Sequence, residues 1–284
     1  MKLAIYGSRR QEPYLEQIRS LLTLLNEAGD EVVMHTKFYN YLLHLMPMAM
    51  KCVKRVTDSA DFAADAAVSI GGDGSFLRTA AWVGDKEIPI VGVNTGHLGF
   101  LASLSVDQLS TLPAMLAGGH YRTEARSLIE VDCLGLRGWP YALNEVAIAK
   151  GESASIIDVK ACIAGAALAD YRADGLIIAT PTGSTAYNLA VGGPIVQPTA
   201  PVMVLSPVAA HSLSLRPLVV GDTSVLTFTC DGRAGGFRIS VDGRSTDVAL
   251  DTRVTLCRAP FTVRVIMPEG SNFAATLREK LDWK

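Results

Sequence analysis

Short apolar runs that end at glycine alternate with longer segments of helical periodicity over about the first 110 residues. These runs predict buried strands at residues 3–7, 31–35, 63–72 and 88–96. Strands that alternate with helices favour right-handed crossovers and a parallel sheet. Because such a sheet binds ligands beyond the carboxyl ends of its strands, the glycines that follow residues 70 and 94 lie where a site is expected.

The segment between the first two strands, residues 13–29, predicts an amphipathic helix. Pro13 lies near its start and Gly29 stands where the helix should stop. The apolar side chains at helical spacing are Leu15, Ile18, Leu21, Leu22 and Leu25.

From about Arg126 onward the pattern changes to β-branched runs punctuated by Gly, Asp and Pro, which predicts a mostly β domain. The tail, residues 271–283, returns to helical spacing, with Phe273, Leu277 and Leu281 on one face and Ser271 or Asn272 available as a cap. We expect two domains, residues 1–125 with 270–284, and residues 126–269. The β-rich runs are residues 128–134, 144–150, 155–165, 167–180, 224–230, 237–243 and 253–268.

Composition narrows the classes of function. The net charge of −2 supplies no broad positive field, so the sequence predicts that nucleic acid is not a partner. Five cysteines without a CxxC pair favour reduced thiols over a disulfide framework or a zinc site. No uncharged run approaches the roughly 20 residues of a membrane span. The pattern of the first residues predicts a strand rather than a signal peptide. We therefore expect a cytoplasmic protein that does not bind membranes.

The segment VSIGGDGSFLRTA, residues 68–80, places one acid among glycines between a strand and a helix. Glycines can turn sharply and point N–H groups at phosphate oxygens, helped by the helix N-terminus, so Gly71, Gly72 and Gly74 are candidate phosphate-binding residues. Asp73 would orient an acceptor hydroxyl facing that phosphate and finally take its proton, because phosphoryl transfer does not need a strong base. Considered alone, GGDG is equally compatible with a tight turn in which Asp73 only caps the helix.

Three further motifs follow GGDG: VNTGHLGFLA (93–102), LNEVAIA (143–149) and DGLIIATPTGSTAYNLAVGGPIV (174–196). In this order the motifs resemble the NAD kinase family, whose members phosphorylate the adenosine ribose 2′-hydroxyl of NAD. The resemblance covers nearly the whole chain. It implies a Rossmann-like N-terminal α/β domain, a β-sandwich-like C-terminal domain, a C-terminal helix that packs back on the first domain, and a substrate cleft between the domains.

The resemblance also implies roles for individual residues. Asp73 matches the catalytic aspartate of the family and Gly74 its neighbour in the site, and Asn144 and Glu145 match the pair that contacts the dinucleotide. Asp174 matches the aspartate that precedes a buried strand, and Ala209 a position that acts through its backbone. The family's dinucleotide-binding segment corresponds to Thr185, Ala186, Tyr187, Asn188, Leu189 and Ala190.

Three arginines are also candidates for substrate binding. Arg78 follows the GGDG loop by one helical turn and Arg172 precedes the Asp-Gly pair, so either could reach a phosphate or remain solvated. Arg244 stands where many members carry Gln, which places that contact in question. Ser153 and Ser155 replace larger polar or basic residues of other members.

Two other functions share some of these features. A lipid kinase of the diacylglycerol or sphingosine type also has GGDG, but it should have a GT-x-N-D-like segment where this chain has NTGHLGFLA. A dinucleotide sensor without turnover would not need Asp73. The resemblance further implies that ATP or another phosphoryl donor is a substrate. It implies a divalent ion, Mg²⁺, that arrives with the nucleotide rather than being held by a protein metal site. It also implies a homodimer or homotetramer.

Overall fold

The computed structural model describes residues 1–96, 99–151, 156–232 and 235–283. Ser153, Ser155 and two residues of the VNTGHLGFLA motif, His97 and Leu98, lie outside the described residues. The helices are α1 (Leu15–Glu27), α2 (Thr36–Leu45), α3 (Asp73–Val83), α4 (Leu112–Gly118), α5 (Tyr187–Ala190) and α6 (Phe273–Leu281). The strands are β1 (Lys2–Gly7), β2 (Glu31–Met34), β3 (Val53–Val56), β4 (Ala66–Ile70), β5 (Ile90–Asn94), β6 (Leu104–Ser105), β7 (Tyr121–Cys133), β8 (Tyr141–Ala142), β9 (Glu145–Lys150), β10 (Ile157–Ile163), β11 (Ala166–Ala173), β12 (Gly175–Ala179), β13 (Val202–Val208), β14 (Leu218–Gly221), β15 (Leu226–Gly232), β16 (Gly236–Val241), β17 (Arg244–Ala249) and β18 (Val254–Pro268).

The chain forms two compact units, Met1–Ala125 with Val263–Lys284, and Arg126–Thr262. The second boundary lies at Val263 rather than at the expected residue 270. The reason is that the last part of β18 belongs to the first unit, where Val265 pairs in parallel with Ile90 of β5. A continuous β-branched run gives no local signal of such a division.

The first unit is an α/β domain with a parallel sheet in the order β3-β2-β1-β4-β5, and β6 also pairs with β5. The four predicted strands correspond to β1, β2, β4 and β5, whereas β3, β6, α2 and α4 were not predicted. Of the five residues predicted to form the apolar face of α1, four are buried, namely Ile18, Leu21, Leu22 and Leu25. They pack with the sheet in one hydrophobic core.

The tail helix α6 belongs to the first unit, as expected. Asn272 is its N-cap, because the Asn272 side chain accepts a hydrogen bond of 2.8 Å from the Ala275 N–H. Leu277 is its buried residue. Arg122 donates to the Ser271 carbonyl at 2.9 Å and so anchors the start of this helix to the same unit.

The second unit is sandwich-like and consists mainly of antiparallel strands. One sheet has the order β14-β13-β12-β9-β16-β17, and the other contains β11, β10, β15 and the first part of β18. A single apolar core contains residues of both sheets, such as Ile148 and Ile239 from the first and Val159 and Phe228 from the second. Among the described residues no helix is both long and apolar enough to span a membrane.

Candidate active site

The turn that precedes α3 requires glycine at position 71. Gly71 has φ +146°, and an added Cβ would overlap the Ser75 side chain. Its N–H donates to the Val93 carbonyl at 2.9 Å. The prediction that Gly71 binds phosphate is therefore wrong in its mechanism, since its N–H is already used to join β4 to β5.

The next two glycines have a different environment. Among the described residues, the N–H groups of Gly72, Asp73 and Gly74 have no acceptor. An added Cβ at Gly72 would meet no atom within 4 Å, and one at Gly74 would meet only Arg78 Nη2 at 3.8 Å. Because packing within the described residues does not require glycine at either position, the open space and free N–H groups at the start of α3 suit an anion.

The Asp73 carboxylate is held by backbone groups of a distant segment. Its Oδ2 accepts the Phe100 N–H at 2.9 Å and its Oδ1 accepts the Leu101 N–H at 3.1 Å. These bonds fix the orientation of the carboxylate, and each oxygen retains a lone pair for a further donor. Asp73 therefore does more than begin a helix, because backbone donors of another segment orient its carboxylate.

Two glycines of the VNTGHLGFLA region and β5 make this arrangement possible. A Cβ on Gly99 would overlap the Asp73 carboxylate, and a Cβ on Gly92 would lie 2.7 Å from Ala102 Cα. The Ser103 N–H donates to the Gly92 carbonyl at 3.1 Å, which keeps the segment against β5. Gly99 belongs to the motif and Gly92 directly precedes it, but the spatial role of the two glycines was not predicted.

Lys280 is a further residue near Asp73 that the sequence did not single out. Burial lowers the pKa of Lys280, while the negative charges of Glu279 and Asp73 oppose that shift. Lys280 and Phe100 also line a cavity of about 300 Å³ in the first unit. The tail helix therefore brings a cation into the electrostatic environment of the candidate catalytic carboxylate.

In the second unit, Asn144 and Glu145 lie at the start of β9. Their backbone N–H groups, together with that of Leu143, all donate to Asp242, at 2.8 Å for Leu143 and Asn144 and 3.1 Å for Glu145. Thr180 Oγ1 donates to the Leu143 carbonyl at 2.5 Å. Asn144 is buried.

The Glu145 carboxyl group titrates near neutrality. Burial, and to a smaller extent the charge of Asp242, raise its pKa to about 7, and a hydrogen bond from the Tyr187 N–H opposes both effects. Glu145 Oε2 is buried and has no hydrogen-bond partner among the described residues. A buried acceptor without a partner is costly unless a ligand supplies a donor, so Glu145 is suited to bind a hydroxyl.

The hydroxyl-rich segment forms a 3-10 turn, Thr182–Thr185, followed by α5. Gly183 packs directly on the Asn144 backbone, where an added Cβ would overlap the Asn144 carbonyl. Ala186 joins the turn to α5, and the Tyr187 side chain is 48% exposed, which leaves a ring face available for stacking. Thr185 and Leu189 are half-buried and Ala190 is exposed.

The side chain of Asn188 does not fit the predicted substrate-binding role. Its Nδ2 donates to the carbonyls of Ser184 and Pro194 at 3.0 and 3.1 Å, and its Oδ1 accepts from Ser206 Oγ at 2.6 Å. The residue is fully buried. Asn188 therefore stabilises the loop, because its polar atoms are occupied by protein groups.

The remaining predicted residues of this unit differ in environment. Asp174 forms an ion pair of 2.8 Å with Lys150, a residue that the sequence did not indicate. Arg172 is exposed, and its Nε lies 4.0 Å from Asp158 Oδ1. Ala209 has φ +48°, a left-handed conformation that is uncommon for alanine and fits a role of its backbone.

Protein groups use part of the Arg244 guanidinium. Its Nη2 donates to the carbonyls of Tyr141 at 2.8 Å and Trp139 at 3.4 Å, and its guanidinium lies over the Trp139 ring at 5.8 Å. Burial lowers its pKa, and Asp242 opposes the shift. Its Nε is buried without a hydrogen-bond partner among the described residues, so substrate binding by Arg244 stays a prediction.

Comparisons with known proteins agree with this fold. The crystal structure of yeast NADH kinase complexed with NADH has a TM-score of 0.89 at 21% identity and covers 100% of this chain and 88% of that one. The NAD kinase from Archaeoglobus fulgidus in complex with ATP has a TM-score of 0.74 at 24% identity, with coverage of 98% and 99%. At these identities the likeness establishes a shared fold.

Sequence comparisons identify the family as well as the fold. Family models match the ATP-NAD kinase N-terminal domain over residues 5–121 and the ATP-NAD kinase C-terminal domain over residues 143–267. The NAD kinase of Bacteroides fragilis is 41% identical over 285 residues, which cover 100% of this chain and 98% of the relative. That of Porphyromonas gingivalis is 42% identical over 285 residues, with coverage of 99% and 98%.

These relatives do not favour the lipid kinase or sensor alternatives. The two matched domains account for most of the chain, and the relatives align with nearly all of it. The chain belongs to the NAD kinase family.

Proposed function

We propose that this protein transfers the terminal phosphoryl group of ATP, or of another phosphoryl donor, to the adenosine ribose 2′-hydroxyl of NAD and so forms NADP. The observation that carries the proposal is the oriented Asp73 carboxylate at the start of α3, beside N–H groups that have no acceptor among the described residues. Membership of the NAD kinase family supplies the substrate class.

In this mechanism Asp73 accepts a hydrogen bond from the ribose 2′-hydroxyl and takes its proton as the new P–O bond forms. The transition state of phosphoryl transfer is loose, so positioning matters more than basicity. The N–H groups of Gly72 and Gly74 stabilise the transferred phosphoryl group, and Arg78, exposed one turn later, adds a positive charge. The P–O bond between the terminal phosphoryl group and ADP breaks as the bond to the ribose 2′-oxygen forms, and the products are ADP and NADP.

The second unit supplies the proposed NAD contacts. Glu145 accepts hydrogen bonds from ribose hydroxyls, and the Asn144 amide donates hydrogen bonds to them or accepts from them. Tyr187 provides a ring face for stacking. Asp174 and the Ala209 backbone bind further polar groups of the dinucleotide, and Arg172 binds a phosphate. Residues 185–190 contribute mainly through backbone and apolar groups, since the side chain of Asn188 is occupied within the protein.

We further propose that Mg²⁺ enters with the nucleotide. This ion prefers oxygen ligands, keeps several waters and is usually bound through substrate phosphates in such sites, where it neutralises developing negative charge. The Asp73 carboxylate, whose oxygens each keep a lone pair beside the N–H bonds from Phe100 and Leu101, is an oxygen group of the kind that this ion prefers. Free thiols at all five cysteines support a cytoplasmic location, and the family resemblance supports a homodimer or homotetramer.

Incubation with NAD, ATP and Mg²⁺ should produce NADP, detected by a NADP-specific dehydrogenase. Addition of a chelator should abolish NADP formation without lowering the melting temperature, because the ion belongs to the substrate complex rather than to the fold. Diacylglycerol and sphingosine serve as control acceptors. Phosphorylation of either lipid in place of NAD would contradict the proposal.

NAD binding should weaken as the pH falls from about 8 to about 6, because a Glu145 carboxyl with a pKa of about 7 becomes protonated and loses acceptor capacity. At about pH 6 roughly one-tenth of such groups are ionised, so the KM for NAD should rise about tenfold. Glu145→Gln should have a higher KM at all pH values and no such pH dependence. A wild-type KM that is constant across this range would contradict the role of Glu145.

A further inference from the structure

Asp242 occupies the tight turn between β16 and β17, far in sequence from the candidate NAD-binding residues. Its φ of +47° is left-handed, a conformation that a non-glycine residue adopts at a cost. The residue lies next to Gly243, which has φ +77°. Such strain persists where surrounding contacts favour it, so the interactions of Asp242 are informative.

The side chain and backbone of Asp242 both bind the chain at the start of β9. Oδ2 accepts the Leu143 N–H at 2.8 Å, and Oδ1 accepts the N–H groups of Asn144 at 2.8 Å and Glu145 at 3.1 Å. In return, the Asp242 N–H donates to the Glu145 carbonyl at 3.1 Å. Four hydrogen bonds therefore fix three consecutive residues, two of which are proposed to contact NAD.

The structure assigns to Asp242 the role of a positioning residue that holds Asn144 and Glu145 in the orientation that binds the ribose hydroxyls of NAD. This inference rests on the proposed function. The carboxylate suits the role because a side chain with two acceptor oxygens can bind several converging N–H groups, and charge-assisted hydrogen bonds are stronger than neutral ones.

The charge of Asp242 also acts on Glu145. It raises the pKa of Glu145 beyond the larger effect of burial. Burial likewise raises the pKa of Asp242 itself, opposed by its N–H donors and by Arg244. Because both Asp242 oxygens accept N–H groups, the ionised form of Asp242 is the one that the geometry favours.

Among the described residues, the other elements around Glu145 contribute no second carboxylate. On β12, the residue paired with Glu145 is Ala179. On β16, Val241 pairs with Val146, the residue after Glu145. From α5 the Tyr187 N–H donates to Glu145. Arg244 faces Asp242, but its Nη2 is bound to the carbonyls of residues 139 and 141. Asp242 is therefore the charged group whose removal should shift the titration of Glu145.

Asp242→Asn tests this role, since it keeps the shape of the side chain but removes its charge and one acceptor. An amide nitrogen would then face a backbone N–H. We expect the KM for NAD to rise about tenfold and kcat and the KM for ATP to change little, because loss of a hydrogen bond to a charged group weakens binding by roughly this factor. The midpoint of the pH dependence of the NAD KM should move to lower pH.

Asp242→Glu is the second variant, because it keeps the charge but displaces the carboxylate by one methylene. It should raise the KM for NAD while retaining the wild-type pH midpoint. Asp247→Asn is the matched control, since exposed Asp247 on β17 of the same hairpin forms an ion pair of 2.7 Å with Arg238. Both its KM and its pH midpoint should equal those of the wild type.

The measurements are kcat and KM for NAD and ATP between about pH 6 and pH 9, with melting temperatures as a check on folding. A KM and pH midpoint of Asp242→Asn equal to those of the wild type would overturn the inference. A lower kcat with an unchanged KM for NAD would also overturn it, since the residue would then act on chemistry rather than on binding. Failure of the wild-type protein to make NADP would instead refute the proposed function.

Discussion

Asp73→Asn should lower kcat for NADP formation by about 10²–10⁴-fold, the usual contribution of a positioned acid or base group. An amide cannot take the proton of the ribose hydroxyl. It also has one acceptor oxygen where the carboxylate uses two to bind the N–H groups of Phe100 and Leu101. The KM for NAD should change little, because the proposed ribose contacts of Asn144 and Glu145 lie in the other unit.

The measurement is steady-state kinetics with saturating ATP and Mg²⁺, together with the melting temperature. Asp85→Asn is the matched control, because Asp85 is exposed just beyond the C-terminus of α3 and undergoes the same chemical change. We expect this control to retain wild-type kcat. An Asp73→Asn protein with undiminished kcat would leave Asp73 as a structural residue of the turn.

Gly99→Ala should lower kcat about 100-fold, although it adds only one methyl group and changes no charge. The new Cβ would occupy the position of the Asp73 carboxylate, so the carboxylate or the Phe100–Leu101 segment must move. Misplacement of a reacting group by about 1 Å can cost this factor, while binding residues elsewhere remain intact. The KM for NAD should therefore stay close to the wild-type value.

Gly221→Ala is the matched control for this substitution. Gly221 ends β14 in the second unit, and an added Cβ would meet only Thr223 Oγ1 at 3.8 Å, an ordinary contact distance. Its kcat, KM and melting temperature should equal those of the wild type. If Gly99→Ala also keeps full kcat, the tight contact between Gly99 and Asp73 has no catalytic importance.

Local patterns predicted much of the fold. The strands β1, β2, β4 and β5 and the helices α1 and α6 follow from apolar periodicity, glycine stops and an Asn cap. Strand β3 and helix α2 were not predicted, although Phe38 and Leu42 of α2 are buried one turn apart. Only residue 53 of the short strand β3 is half-buried, and the other three are exposed, so it lacks a strong apolar signal.

Two expectations about binding groups were corrected by tertiary contacts. The Gly71 N–H donates to the Val93 carbonyl, and the Asn188 amide bonds to three protein groups. Each residue has the chemistry that a ligand contact needs. The sequence could not show that nearby protein groups already use that chemistry, because donors and acceptors are satisfied by whatever the fold brings close.

The sequence alone determined the family resemblance, the two structural classes of the chain, Asp73 and the Asn144–Glu145 pair, because these depend on residue type and local order. Only the tertiary structure brought Phe100 and Leu101 to Asp73 across 27 and 28 residues, and Asp242 to Leu143, Asn144 and Glu145 across 97 to 99 residues. Strand register and tight turns set these contacts, and register depends on how whole strands pack together rather than on any local pattern. The orientation of both candidate functional groups was therefore decided by the fold.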